Sequence, residues 1–130
     1  MPPQELTPQL NAQKIFDNVL LEVVDQGIRD VLGEPAVRFI YNYIEKNFSL
    51  RRNNIPVELE VFAEGLEEML GSGANVIENY ILKNLCSHLG FDYKCKKDYR
   101  FSDHVRKIEV KFLRSRLKSG SINFEQEGLG

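Results

Sequence analysis

The chain has no tryptophan, two cysteines, two methionines and five prolines in 130 residues. Two cysteines, Cys86 and Cys95, are too few for a small disulfide-built scaffold, which predicts free thiols in a reducing cytoplasm. No apolar run approaches the roughly 18 residues that a membrane-spanning helix needs. Met1 to Glu5 shows neither the basic nor the apolar region of a secretory leader. Charge of one sign is also scarce, with a net of −2 that selects no partner. What remains is 42% hydrophobic and 28% charged, the make-up of one globular domain rather than a disordered chain.

The near-neutral total conceals an uneven distribution. Tyr93 to Lys118 holds ten basic and three acidic residues, a net of +7, and the rest of the chain carries −9. An acidic body joined to a basic end is a frequent sign of an interaction surface.

Hydrophobic spacing predicts an all-α bundle of about five helices. Thr7-Pro8 reads as a helix start, threonine capping and proline at the first turn. Apolar pairs then recur every four residues from Ile15-Phe16 to Val31-Leu32. That repeat drifts around a 3.6-residue helix, so the face should meet several neighbours. The surplus of apolar surface also suggests self-association with a second copy.

Gly33 ends this helix, and Pro35 to Asn47 follows with Val37, Ile40, Tyr41 and Ile44 on one face. A third helix carries Leu59, Phe62, Leu66 and Leu70, and an acidic outer face of Glu60, Glu64, Glu67 and Glu68. Ser72 is expected to cap a fourth, which presents Ile77, Tyr80, Ile81, Leu85 and Leu89 inward and stops at Gly90. Phe91, Tyr93, Cys95, Tyr99 and Phe101 alternate, which predicts a short hairpin or an irregular extended segment. Ser102 is expected to cap a fifth helix, docked by Val105, Ile108 and Phe112. The domain should span residues 1–118, with 119–130 a flexible tail.

The stretch Gly33 to Gly90 resembles a small, mostly archaeal family of helical domains, the Nitrosopumilus output domain, type five. The residues that carry the resemblance are Leu32-Gly33-Glu34-Pro35-Ala36-Val37, Ile40 to Glu45, Ile55-Pro56, and Phe62 to Ala74 with its Leu-Gly-x-Gly-Ala turn. Val76-Ile77-Glu78 and Ile81 to Leu85 complete it. Leu70 and Cys86 stand where many relatives carry an aromatic residue. The resemblance implies a helical signalling or regulatory domain and brings no catalytic residues with it.

The sharpest feature is the basic end. Lys107, Lys111, Arg114 and Lys118 fall on one helical face, with Arg106 at its edge. Upstream, Lys94, Lys96, Lys97 and Arg100 interleave with Tyr93, Tyr99 and Phe101. Such a patch suits nucleic acid, whose phosphates meet cations while bases stack on aromatics. It equally suits an acidic protein partner, or a solvated face that merely offsets the protein's own acidic body. A membrane surface would need a denser row of apolar anchors opposite.

Cys86, His88, Cys95 and His104 lack the close cysteine pairing of a zinc motif, so no metal is expected, and both histidines read as surface or capping residues. No nucleophile elbow or phosphate-binding loop is present, and Gly71-Ser72-Gly73 lacks the lysine that would follow one. Glu64, Glu67 and Glu68 read as solvent-facing acids. The expectation is a non-catalytic signalling or interaction domain without a cofactor, the alternative being a nucleic-acid-binding regulator.

Overall fold

The computed structural model describes residues 8–94 and 96–129, with side chains for 10–94 and 96–116. It is all helical: α1 (Pro8–Leu32), α2 (Glu34–Phe48), α3 (Leu59–Leu70), α4 (Ala74–Leu89) and α5 (Phe101–Leu129). A 3₁₀ turn at Arg52–Val57 joins α2 to α3, and another at Gly71–Gly73 joins α3 to α4. Among the described residues there is no strand, so the alternating aromatics form the extended segment and not the hairpin. Their spacing answers to packing on α5, as described below. Thr7, Cys95 and the side chains of Leu117 and Lys118 lie outside the described residues. So do the side chains of the expected tail, whose backbone belongs to α5 up to Leu129.

The drifting stripe of α1 makes it the central helix. It packs against α2, α4 and α5, each covering a different sector. Phe16, Leu20, Val23, Val24 and Ile28 are fully buried, and Phe16 stacks at 6.0 Å on Phe112 of α5. The apolar pairs that suggested a second copy are therefore covered largely within the chain, although Ile15 and Leu32 remain exposed. The remaining core comes from Ile40 and Ile44 of α2, Phe62 and Leu66 of α3, and Ile77, Ile81 and Leu85 of α4. Phe62 meets Phe101 at 6.3 Å, so the start of α5 is anchored on α3.

Two expected serine caps are absent. Ser72 lies inside the Gly71–Gly73 turn, which winds directly into α4 without a side-chain cap. Ser102 is buried within the first turn of α5, because Phe101 already starts that helix and drives into the core. There the Asp103 carboxylate accepts the Arg100 backbone N–H at 3.0 Å, reaching back over one turn as the third residue of a capping box does.

The connection from α2 to α3 is held by a polar knot. Arg52 donates to Asp25 twice, Nε at 3.1 Å and Nη2 at 2.7 Å, and the Tyr41 hydroxyl donates to the same carboxylate. Burial, and then that carboxylate, push the Tyr41 hydroxyl's pKa upward. One aspartate thus ties α1, α2 and the 3₁₀ turn, which seats Ile55 and Pro56 in the core. Asp25→Ala strands a half-buried guanidinium. It should cost about 2 kcal/mol, measured by urea denaturation.

Candidate functional site

The site begins where α4 ends. Gly90 takes a left-handed conformation (φ 80°) that few side chains tolerate, and the Phe91 N–H closes back on the Cys86 carbonyl at 2.8 Å. Residues 91–94 and 96–100, the ridge, lead on to α5, with a turn closed where the Tyr99 N–H donates to the Lys96 carbonyl at 3.1 Å.

His104 of α5 braces the ridge. It is only 6% exposed, contrary to the surface or capping role expected of it. Its Nε2 accepts the Lys96 N–H at 3.2 Å, and its ring contacts Tyr99 at 5.1 Å and Tyr93 at 5.9 Å. Burial holds its pKa below the usual value, so the ring is neutral at pH 7, with the proton on Nδ1. His88 fits the capping expectation, its Nδ1 lying 3.0 Å from the Asn84 carbonyl in the last turn of α4.

Clefts flank the ridge on two sides. The first, about 510 Å³, is lined by Phe91, Tyr93, Tyr99 and His104, with Lys94, Lys96, Lys107 and Lys111 around them. Lys111 stands over the Phe91 ring at 4.8 Å. Lys107 and Lys96 stand over Tyr99 at 5.2 and 5.9 Å. None of these four lysines has a carboxylate within 4.0 Å among the described residues. Cys86 reaches the floor of this cleft, but burial raises its thiol pKa and leaves it protonated.

The other basic residues separate from this group. Arg106 pairs with Glu60 of α3 at 3.3 Å, and among the described residues no other basic residue forms an ion pair with the acidic helix. Arg100 reaches Asp103 at 3.7 Å and, with Lys97, lines the second cleft instead. Arg114 is exposed and borders neither.

The second cleft, about 610 Å³, lies between α3, α4 and the ridge. Glu60, Glu64 and Glu67 of α3 line it together with Glu78 of α4. Glu78 is 7% exposed, and its Oε2 has no hydrogen-bond partner. Burial, then the neighbouring Glu67 charge, push its pKa up to about 7. Sequence reading set it aside as part of a family match. The signal was present, since Leu82 and Cys86 sit four and eight residues on and mark that stripe of α4 as buried.

The folded state therefore holds a proton that the unfolded chain releases near the ordinary glutamate value. The stability this contributes is complete below about pH 4.5 and is lost as pH rises to about 7. The loss should be about 2–3 kcal/mol. Buried His104, its pKa depressed, acts with the opposite sign, losing stability as pH falls. Comparison with Glu78→Gln isolates the glutamate: the variant should gain on the native protein between pH 5 and 8 in urea titrations.

Among the described residues no three His, Cys, Asp or Glu side chains are grouped to hold a metal ion. No helix there is long and apolar enough to cross a membrane. Compared with known protein families, curated proteins and solved structures, the chain matches none.

Proposed function

We propose that this chain is a non-catalytic interaction module, and that an acidic protein segment docks in the cleft between Phe91 and Lys111. The observation that carries this reading is the convergence of Lys94, Lys96, Lys107 and Lys111 on one cleft with no carboxylate within 4.0 Å of them among the described residues, Asp92 being the acid that also lines it. Four ammonium groups held together repel one another, and carboxylates from outside relieve that repulsion. The tyrosines add flat apolar surface with a polar tip, suited to an interface. A signalling or regulatory role in an archaeal cytoplasm is what the Gly33–Gly90 resemblance implies, and the comparison with known families adds nothing to it.

Nucleic acid is the second reading. Stacking of bases needs open aromatic faces. Here Lys107 and Lys96 lie over Tyr99, and Lys111 over Phe91, which favours carboxylates over bases.

Fluorescence anisotropy with a labelled glutamate-rich peptide and a labelled uridine oligonucleotide, each titrated across salt, tests both. The peptide should bind at low salt, more tightly than the oligonucleotide. Tighter oligonucleotide binding with a steep salt slope would transfer the site to nucleic acid. No binding of either at low salt would overturn the module reading at this cleft.

A further inference from the structure

We propose that the second cleft binds a small zwitterion of amino-acid size, its ammonium group against Glu78 and its carboxylate against Lys97 and Arg100. The cleft has walls of opposite sign. Glu64 and Glu67 of α3 and Glu78 of α4 stand on one, and Lys96, Lys97 and Arg100 of the ridge on the other. Glu64, Glu67 and Glu78 have no basic group within 4.0 Å among the described residues, whereas Glu60, which lines the same cleft, pairs with Arg106 at 3.3 Å. A salt bridge across the cleft would have closed it. Arg100 also reaches Asp103 at 3.7 Å, but Lys97 has no carboxylate within 4.0 Å among the described residues, and the space of about 610 Å³ can take one bipolar solute.

Glu78 sets the character of the cationic end. It is a buried acceptor that lines the cleft, and its Oε2 has no hydrogen-bond partner. A slender ammonium presents three donors on a compact head, which suits a carboxylate that is only 7% exposed better than a bulky cation does. Asn75 and Asn79 line the same space and offer amide groups beside it.

The protonation of Glu78 gives the site a pH dependence. The groups around it are Glu60, Glu64 and Glu67 on α3, Lys96, Lys97 and Arg100 on the ridge, and His104 on α5. Its proton is held until about pH 7, so an ammonium must replace a proton below that value and meets a carboxylate above it. Affinity should rise from pH 6 to pH 8, and burial, which holds the His104 pKa below its ordinary value, biases that neighbour toward the neutral form across the interval.

This inference does not rest on the acidic-partner reading. Glu78 lines only the second cleft, and Lys107 and Lys111 only the first. Isothermal titration calorimetry of the whole chain at pH 8, with each common L-amino acid alone, with putrescine and with succinate, tests it. At least one amino acid should bind, whereas putrescine, all cation, and succinate, all anion, should not. Glu78→Gln keeps the side chain's shape and removes its charge. It should fold at least as well as the native protein and weaken that binding by about 10-fold or more. Lys97→Ala should weaken it from the other end. Failure of every amino acid up to about 10 mM, equal binding of putrescine, or native affinity in Glu78→Gln would overturn the proposal.

Discussion

Replacing Gly27 with leucine is expected to lower the melting temperature by roughly 10–20 °C. Gly27 lies on α1 where α4 crosses it. A Cβ placed there would stand 2.8 Å from Ile81 Cγ1, 3.6 Å from Ile81 Cδ1 and 3.7 Å from Tyr80 Cδ1. The first distance is shorter than real carbon contacts, and Ile81 is itself fully buried. Alanine would force Ile81 to shift, partly offset by about 1 kcal/mol of better helix propensity. Leucine adds three further carbons where a packed core has no room, and overpacking of this kind costs about 1–3 kcal/mol or more. At Gly65 the closest approach is milder, 3.0 Å to Ile44 Cγ1, so Gly65→Ala should be the gentler change. Thermal melts by circular dichroism decide. A Gly27→Leu melt within a few degrees of the native one would show that α1 and α4 can separate freely.

The second large effect concerns binding. Reversing Lys96, Lys107 and Lys111 to glutamate should weaken the glutamate-rich peptide by at least about 100-fold, because the field over the cleft changes sign. The same variant should melt within a few degrees of the native protein, since exposed charges contribute only tenths of a kcal/mol to about 1 each. Arg106→Glu provides the contrast. It breaks the pair with Glu60 and sets two acids together between α3 and α5, so it should lower the melting temperature while leaving the peptide bound. If the triple reversal instead melts far below the native protein and binds normally, the lysines serve stability alone.

Much of the helical framework was legible without coordinates. Periodicity placed Ile40 and Ile44, Phe62 and Leu66, and Ile77, Ile81 and Leu85 inside, and all are buried. Val105, Ile108 and Phe112 dock α5 as their spacing predicts. Such features are local: a residue's place on a helix face follows from its number in the chain. The alternation from Phe91 to Phe101 misled toward a possible hairpin, because period two describes any extended chain with one face packed. The serine caps misled because cap preference is weak beside the burial of Phe101 and the continuity of the Gly71–Gly73 turn.

The candidate site was legible only in part. The charge pattern identified Lys94, Lys96, Lys107 and Lys111 but also joined them to Arg106, Arg100 and Lys97, which tertiary packing sends elsewhere. Helical spacing shows which residues share a face. It does not show what stands opposite, and only the docking of α5 beside α3 gave Arg106 a carboxylate. Glu78 is the sharper case. Its sequence neighbours mark its stripe as buried, yet a carboxylate's cost depends on what surrounds it in three dimensions. By itself the sequence determined the helices, their apolar faces and the separation of an acidic body from a basic end, because each depends on residue type and spacing. Only the tertiary structure decided which charges pair, which stand open around a cleft and which carboxylate is denied water. Those outcomes depend on distances between residues far apart in the chain.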